Sequence, residues 1–566
     1  MKSAVAQLDS ATQQATICIL ILKEFRRACR RRLWFDRQAG AGLRSQVCSV
    51  RSPTVTASAK VQREGLMTDL DDAFLVEITI DGVHEAMRAG RLTARKLVEF
   101  YVARIAAYDK AGPSINSIIS INAAALDEAD ALDAKFQASG LTGPLHGIPM
   151  VIKDQGDVIG QPTTMGSVLF AGHQPGRDAF ALAKLKAAGA IILGKSTLGE
   201  LGAGDTHGSL FGSTRNVFDF ERTAGGSSGG SGAAVSANLC TVGIGQEGFS
   251  SIRRPAAWNG IAGMRPTAGL VSRDGIYGGW PSINGSLGPM ARNVRDLAIL
   301  LDTMVGYDAK DPITALGAHR IADSYSAGLN VDAMKGARIG ILREPCGYAT
   351  EPDSDDFKAI DEVFSRAVEE LKAQGAEVVD PIVIPNLVEL LSKRARSATE
   401  DDESFAHYVS GSAAPPFRSR REAMASEVFK GVSRGAQARW SAKPNQDSYH
   451  EYIKARDTLM LNLHQVMASL RLDAIVHKAV EHQPTLIAEG LNPPFRDQTG
   501  AIHINTFLVF VPSVVVPCGF TRNGLPAGLT FLGRPYDDAS MLRYAYAYEQ
   551  ATRHRRSPSL GLQNVQ

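Results

Sequence analysis

Cysteine is scarce: six residues in a chain of 566, at Cys18, Cys29, Cys48, Cys240, Cys346 and Cys518, with no C-x-x-C pair. That excludes a disulfide scaffold and suits a reducing compartment, so a cytoplasmic location is expected. Long apolar runs are missing too. The stretch Ile17 to Leu22 is too short to span a bilayer, and it stands before rather than after its arginine cluster, so it fits a secretory signal poorly. There is no H-E-x-x-H, and His477 and His482 are wrongly spaced for a zinc helix. No metal and no cofactor are therefore expected. Internal repeats and long low-complexity tracts are absent, which excludes solenoids.

Net charge is also small, +2, but it is unevenly spread. Residues 1–66 hold twelve bases and four acids, a balance of +8, and residues 67–566 a balance of −6. The leader is expected to be disordered or upstream sequence, with Met67 the working start. Its arginine-rich, acid-poor composition also resembles a transit peptide, and a basic leader could bind nucleic acid or anionic lipid. Residues 67–566 are read as one catalytic domain, to which no nucleic-acid role is given.

Within that body, strand-like runs alternate with helical ones. Apolar residues recur at helical spacing from Ile80 to Tyr108, broken at Gly90, with Thr93 as an N-cap. A helix follows over Ala123–Gln137, then an apolar strand ending at Lys153. A helix over Ala179–Ala188 leads into a strand over Ala190–Leu193, and a second helix–strand pair covers Ser231–Gly245. Strands near Asp473–His477, Ser513–Pro517 and Leu529–Leu532 precede a closing helix at Ala539–Arg553. This alternation predicts an α/β layered fold around a large mixed, mainly parallel sheet. Residues 386–470 are charge-rich with few strand signals, and are read as a helical insertion or cap.

Three motifs compete for the chemistry. Gly189-Ala-Ile-Ile-Leu-Gly194-Lys195-Ser196 matches a phosphate-binding loop letter for letter, but its middle residues suit a buried strand. Gly225-Gly-Ser227-Ser-Gly229 matches a nucleophile elbow, yet no downstream histidine sits in a recognisable context. The third candidate joins Ile152-Lys153-Asp154, the loop Gly225–Gly232 and Gly248-Phe-Ser-Ser-Ile-Arg253. A lysine desolvated at a strand end has a lowered pKa, so its neutral amine can serve as base to a serine without histidine. Taken singly, Lys153 reads as a surface lysine, Ser227 and Ser228 as loop residues and Ser251 as an N-cap. The order of the three pieces argues otherwise.

These pieces, with Gly143-Pro-Leu-His-Gly-Ile-Pro, Thr163-Thr-Met-Gly-Ser, Gly263-Met-Arg-Pro-Thr and Gly524-Leu-Pro-Ala-Gly-Leu, resemble the amidase signature family from about Leu70 to Pro558. The resemblance implies a Ser–Ser–Lys serine hydrolase. It carries the lysine to Lys153, the bridging serine to Ser227 and the nucleophile to Ser251, and the interval of 24 between the two serines matches the family's. It further implies a cis peptide before Ser227, an oxyanion hole from the backbone of Gly248, Phe249, Ser250 and Ser251, and a supporting Ser228.

Departures bear on the substrate. The family stretch before the nucleophile reads roughly G-T-D-T-G-G-S, whereas this chain has Gly245-Gln-Glu-Gly-Phe-Ser-Ser251. Phe249 is expected to project into substrate space. Trp258-Asn259 replaces a common Phe-Cys, and Asn216-Val217 a common Asn-Pro. Leu201, Phe249, Trp258 and Trp280 suggest an apolar or aryl group on a small-molecule substrate. The function expected first is an amidase hydrolysing linear, non-peptide amides, with anilides, carbamates and esters sharing the chemistry, working alone or as a homodimer. The alternatives are a glutamine-hydrolysing subunit of a tRNA amidotransferase and an inactive member acting as a binding module. Against the first stand the altered oxyanion segment and the lack of an evident basic surface for tRNA; against the second, all three triad positions are filled.

Overall fold

The computed structural model describes residues 73–278, 285–395, 398–412, 414–443 and 445–560; the basic leader and Trp280 lie outside them. Eleven strands form one sheet: β1 (Ile118–Ile121), β2 (Pro149–Lys153), β3 (Ile191–Ser196), β4 (Val242–Glu247), β5 (Ala262–Arg265), β6 (Ser286–Ala291), β7 (Arg338–Leu342), β8 (Glu377–Ile382), β9 (Ala474–Lys478), β10 (Ser513–Phe520) and β11 (Pro526–Leu532), in the order β1–β3–β2–β4–β6–β5–β10–β11–β9–β7–β8. The layered α/β fold around a large mixed sheet is as expected. Parallel pairing is confined to the two flanks, β3–β2–β4 and β9–β7–β8. Between them, and at β1, neighbours run antiparallel.

The strand sequences explain this burial. β2, β3 and β4 are buried at every residue, as near-continuous apolar runs in a sheet covered on both faces should be. Helices Ile80–Arg88 and Ala94–Arg104 open the body. Each starts at a threonine whose hydroxyl accepts an N–H, Thr79 from Gly82 and Thr93 from Lys96, and Gly90 separates them with φ +68°.

Residues 387–469 contribute the helices Leu387–Ser392, Ala398–Ser410, Arg420–Ala425, Arg434–Ser441 and Gln446–Ser469 and, among the described residues, no strand of the sheet. The last packs its apolar face, including Leu459, Leu463 and Met467, with Ile382, Leu342 and Ile475. The middle three belong to a separate aromatic-rich core in which Phe405, Tyr408 and Trp440 meet Met165, Phe170, Leu201 and Tyr277. That small core binds a helical cap to the part of the sheet layer that holds the candidate site.

Candidate active site

Parallel pairing of β2 with β4 aligns their carboxyl ends, with Ile152 opposite Ile244. In open α/β sheets ligands gather at such ends. Lys153 closes β2, and Gln246 and Glu247 close β4. The Lys153 amine is buried; it donates to Ser227 Oγ at 2.6 Å and to the Gln246 carbonyl at 3.1 Å. Burial drives its pKa well below the usual lysine value, against a smaller opposing pull from the Glu247 carboxylate.

Ser227 follows a cis Gly226–Ser227 peptide, the conformation implied by the family resemblance. Its hydroxyl donates to the Gly202 carbonyl at 2.8 Å. Glycine is required on both sides of this turn: a Cβ on Gly226 would stand 2.3 Å from the Gly204 carbonyl, and one on Gly230 2.4 Å from the Thr197 carbonyl. The glycine-rich loop is thus a site of close backbone packing. Ser228 opens the helix Gly229–Ser236, and its hydroxyl exchanges 3.2 Å bonds with the Gln246 N–H and carbonyl. That carbonyl also accepts from Lys153, so Ser228 and Lys153 share an acceptor without touching each other. The Ser228 N–H donates to the Ser251 carbonyl at 3.1 Å, joining the two serine-bearing segments.

Ser251 stands at the start of helix Arg253–Trp258. Glu247 fixes that turn: one carboxylate oxygen accepts the N–H groups of Ile252 at 2.8 Å and Arg253 at 3.0 Å, and the other pairs with Arg253 Nε at 2.8 Å. Burial would raise the Glu247 pKa, but Arg253, Arg265 and the two N–H groups hold it below the usual value. Arg254 performs the same service for the turn that carries Ser227, donating to the Gly226 carbonyl at 2.8 Å while pairing with Asp205 at 2.9 Å.

Ser251 lines a cavity of about 320 Å³ together with Gln155, Leu201, Gly202, Gly248 and Phe249. Among the described residues, no protein acceptor takes the N–H groups of Gly248, Phe249, Ser250 or Ser251. Free amides beside a nucleophile are what an oxyanion hole needs. Ser250 itself is buried with its hydroxyl unpartnered and does not line the cavity.

Phe249 lines the cavity but is not a free projection into it. Its ring stacks on His503, centroids 4.8 Å apart and planes 5° apart, and the Arg394 guanidinium sits over it at 4.4 Å. Burial, with Arg394 adding to it, lowers the His503 pKa to about 4, so the stacked imidazole is neutral at pH 7. Leu201 lines the cavity in the left-handed region, φ 56°. Trp258 is a correction: it is 1% exposed, its indole N–H donates to the His482 carbonyl at 2.9 Å, and it is core rather than a substrate contact. An aromatic in a motif reads alike in a core and a pocket until its N–H partner is seen.

Sequence reasoning missed the far wall. Arg394, Asp401, Arg420, Arg439 and Trp440 of the cap line the cavity together with Leu201, Phe249 and Tyr277, so charged and aromatic side chains share its wall. Arg439 donates to the Glu200 and Ala203 carbonyls at 2.9 and 3.1 Å, tying cap to loop. Charge-richness in 386–470 was the only signal. Gln155, two residues past Lys153, carried none. The phosphate-loop motif resolves as strand β3, in which Lys195 pairs with Asp154 at 3.0 Å, both fully buried.

The amidase family model matches residues 96–542. A glutamyl-tRNA(Gln) amidotransferase subunit from Methanosarcina barkeri is 33% identical over 449 residues, 77% of this chain and 90% of that protein. The structure of a peptide amidase from Stenotrophomonas maltophilia superposes with a TM-score of 0.74 at 32% identity, covering 85% of this chain and 98% of the other. A glutamyl-tRNA(Gln) amidotransferase subunit from Thermotoga maritima gives 0.64 at 25% identity, over 86% and 98%. The chain belongs to the amidase signature family.

Proposed function

We propose that the protein hydrolyses a carboxamide through an acyl-enzyme on Ser251. The carrying observation is the buried Lys153 amine, 2.6 Å from Ser227 Oγ, beneath a cavity lined by Ser251. With Lys153 neutral, the bond to Ser227 reverses and the amine accepts the serine's proton. Ser227 in turn takes the Ser251 proton as its oxygen attacks the amide carbon. The developing oxyanion meets the free N–H groups of the 248–251 segment, each such donor being worth about 3 kcal/mol. Returned through Ser227, the proton goes to the leaving nitrogen, and water then releases the acid.

The cavity wall offers charged groups (Arg394, Asp401, Arg439) and aromatic ones (Phe249, Tyr277, Trp440) side by side, which accommodates a polar acyl group as well as the aryl group first expected. The names of the curated relatives favour the glutamine-hydrolysing alternative over a free-standing amidase, and with it a partner protein that would receive the ammonia. The peptide amidase likeness supports the second reading, a free-standing enzyme, and brings peptide amides into the substrate panel. A fluorophosphonate probe is expected to label the wild type and not Ser251→Ala. Ammonia release from glutamine that depends on added partner proteins decides for the first reading; partner-independent release from peptide amides decides for the second. Full hydrolysis by Ser251→Ala would remove the nucleophile assignment.

A further inference from the structure

The 248–251 segment is held entirely by its carbonyls. That of Ser250 accepts the Arg254 N–H at 3.0 Å, that of Ser251 the Ser228 N–H at 3.1 Å, and that of Phe249 the Arg253 guanidinium at 3.2 Å. These partners come from the helix that follows and from the turn that carries Ser227. The Gly248 carbonyl is taken from far along the chain: Thr506 Oγ1 donates to it at 3.3 Å. Thr506 ends the short turn Ile504–Thr506, is buried, and lines the cavity beside Gly248 and Ser251. It is itself held at both ends, its N–H donating to the His503 carbonyl at 2.9 Å and its carbonyl accepting the Tyr452 hydroxyl, from the cap helix Gln446–Ser469, at 2.8 Å. His503, three residues before it, is the ring stacked on Phe249.

A held carbonyl also aims an amide, because a trans peptide points its C=O and its N–H in opposite directions. The Gly248–Phe249 peptide is trans. With its C=O on Thr506, the Phe249 N–H is turned away from Thr506 and meets no protein acceptor. Gly248, lacking a Cβ, does little to restrain that peptide plane on its own. A plane turned over would present a carbonyl oxygen where an N–H is needed, and so repel a developing negative charge rather than stabilise it. Resting on the amide-hydrolysis reading above, we propose that Thr506 is a positioning residue for the oxyanion hole: its hydroxyl pins the Gly248–Phe249 peptide and keeps the Phe249 N–H turned to the oxyanion. The cap helix, through Tyr452, holds Thr506 in place for this task.

The test compares wild type with Thr506→Val, which replaces the hydroxyl by a methyl group, and Thr506→Ser, which keeps it. The substrate is glutamine or a dipeptide amide, whichever the wild type turns over. An oxyanion exists only on the way to and from the tetrahedral intermediate, so Thr506→Val is expected to lose about 10- to 100-fold in kcat with KM within about 2-fold. The rate of Ser251 labelling by a fluorophosphonate should fall alongside it, Thr506→Ser should recover most of both losses, and the pH at which activity falls off should not move, since Lys153 is untouched. An unchanged kcat overturns the inference. So does a rise in KM as large as the fall in kcat, a shifted pH profile, or a serine variant as slow as the valine one, because each assigns Thr506 to packing or to the proton relay. Should Thr506→Val not fold, the structure of the fluorophosphonate adduct of wild type decides: a phosphonyl oxygen within hydrogen-bond distance of the Phe249 nitrogen, with Thr506 still on the Gly248 carbonyl, supports the inference, and an oxygen held elsewhere overturns it. Absence of both labelling and hydrolysis in the wild type instead sinks the amide-hydrolysis reading itself, and the inference with it.

Discussion

Lys153 is useful because it is badly placed for a charge. Its amine is buried among strand ends, and burial pulls its pKa well below the usual lysine value. The folded chain thus binds fewer protons at this site than the unfolded chain, between the depressed value and the ordinary 10.5. Over that window stability rises with pH. Lys153→Met should remove this slope and melt no lower than wild type near pH 7, while kcat/KM falls by about 10²–10⁴. Thermal melts across pH 6–9, run beside activity assays, check both halves; a lower melting point for the variant would show that the amine's hydrogen bonds outweigh its desolvation. Asp154 and Lys195 are the opposite case, a buried pair with complementary charges 3.0 Å apart. Breaking it from one side, as in Asp154→Ala, leaves an uncompensated cation and should cost about 3–5 kcal/mol in denaturant unfolding.

At the level of elements, Ser251, the proposed nucleophile, is aimed by a turn whose geometry depends on one carboxylate. Glu247 closes β4 and, through three hydrogen bonds, starts the helix Arg253–Trp258. Glu247→Gln keeps one acceptor oxygen but loses the charge that pairs with Arg253. The expected result is a drop in kcat larger than any rise in KM, read from steady-state kinetics on the best amide found, because Ser251 and its neighbouring amides lose their alignment. These elements were largely legible beforehand. Lys153, Ser227 and Ser251 sit in short contiguous motifs whose strand, loop and helix contexts follow from local apolar patterning, and β2, β3 and β4 are buried runs that can hardly be anything else. Sheet direction was less legible. Helix–strand alternation speaks for parallel neighbours, but β5, β6, β10 and β11 join by connections whose sense the sequence does not encode locally. Trp258, Gln155 and the cap arginines were misread or missed for a related reason: their roles depend on partners far away in the chain, such as His482 for Trp258 and Tyr277 for Gln155.

For the whole molecule, the cap has its own small core and its own electrostatic contact with the sheet layer. Tyr408 packs against Tyr277 with centroids 5.6 Å apart, and its hydroxyl donates to Asp157 at 2.7 Å. Because Tyr277 also lines the cavity and holds Gln155 through its main-chain carbonyl and N–H, the seating of the cap and the shape of the site are linked through one residue. Burial raises the Asp157 pKa to about 6, partly offset by Tyr408, Lys195, Thr163 and Arg177. The folded state therefore retains a proton that the unfolded state sheds near pH 4. Its contribution is fully present below about pH 4 and is lost as pH rises through about 6. Nearby His407 has a pKa lowered chiefly by burial, so its contribution runs the other way, weakening the fold as pH falls. Asp157→Asn separates the two: it mimics the protonated carboxyl at every pH and leaves His407 untouched. Amide exchange in the helix Ala398–Ser410, corrected for its intrinsic pH dependence, should show more protection in the variant than in wild type at pH 8 and little difference at pH 4. Equal protection at both pH values would mean that the cap is held by its aromatic core alone, and KM measured at pH 8 would then be unaffected by the substitution.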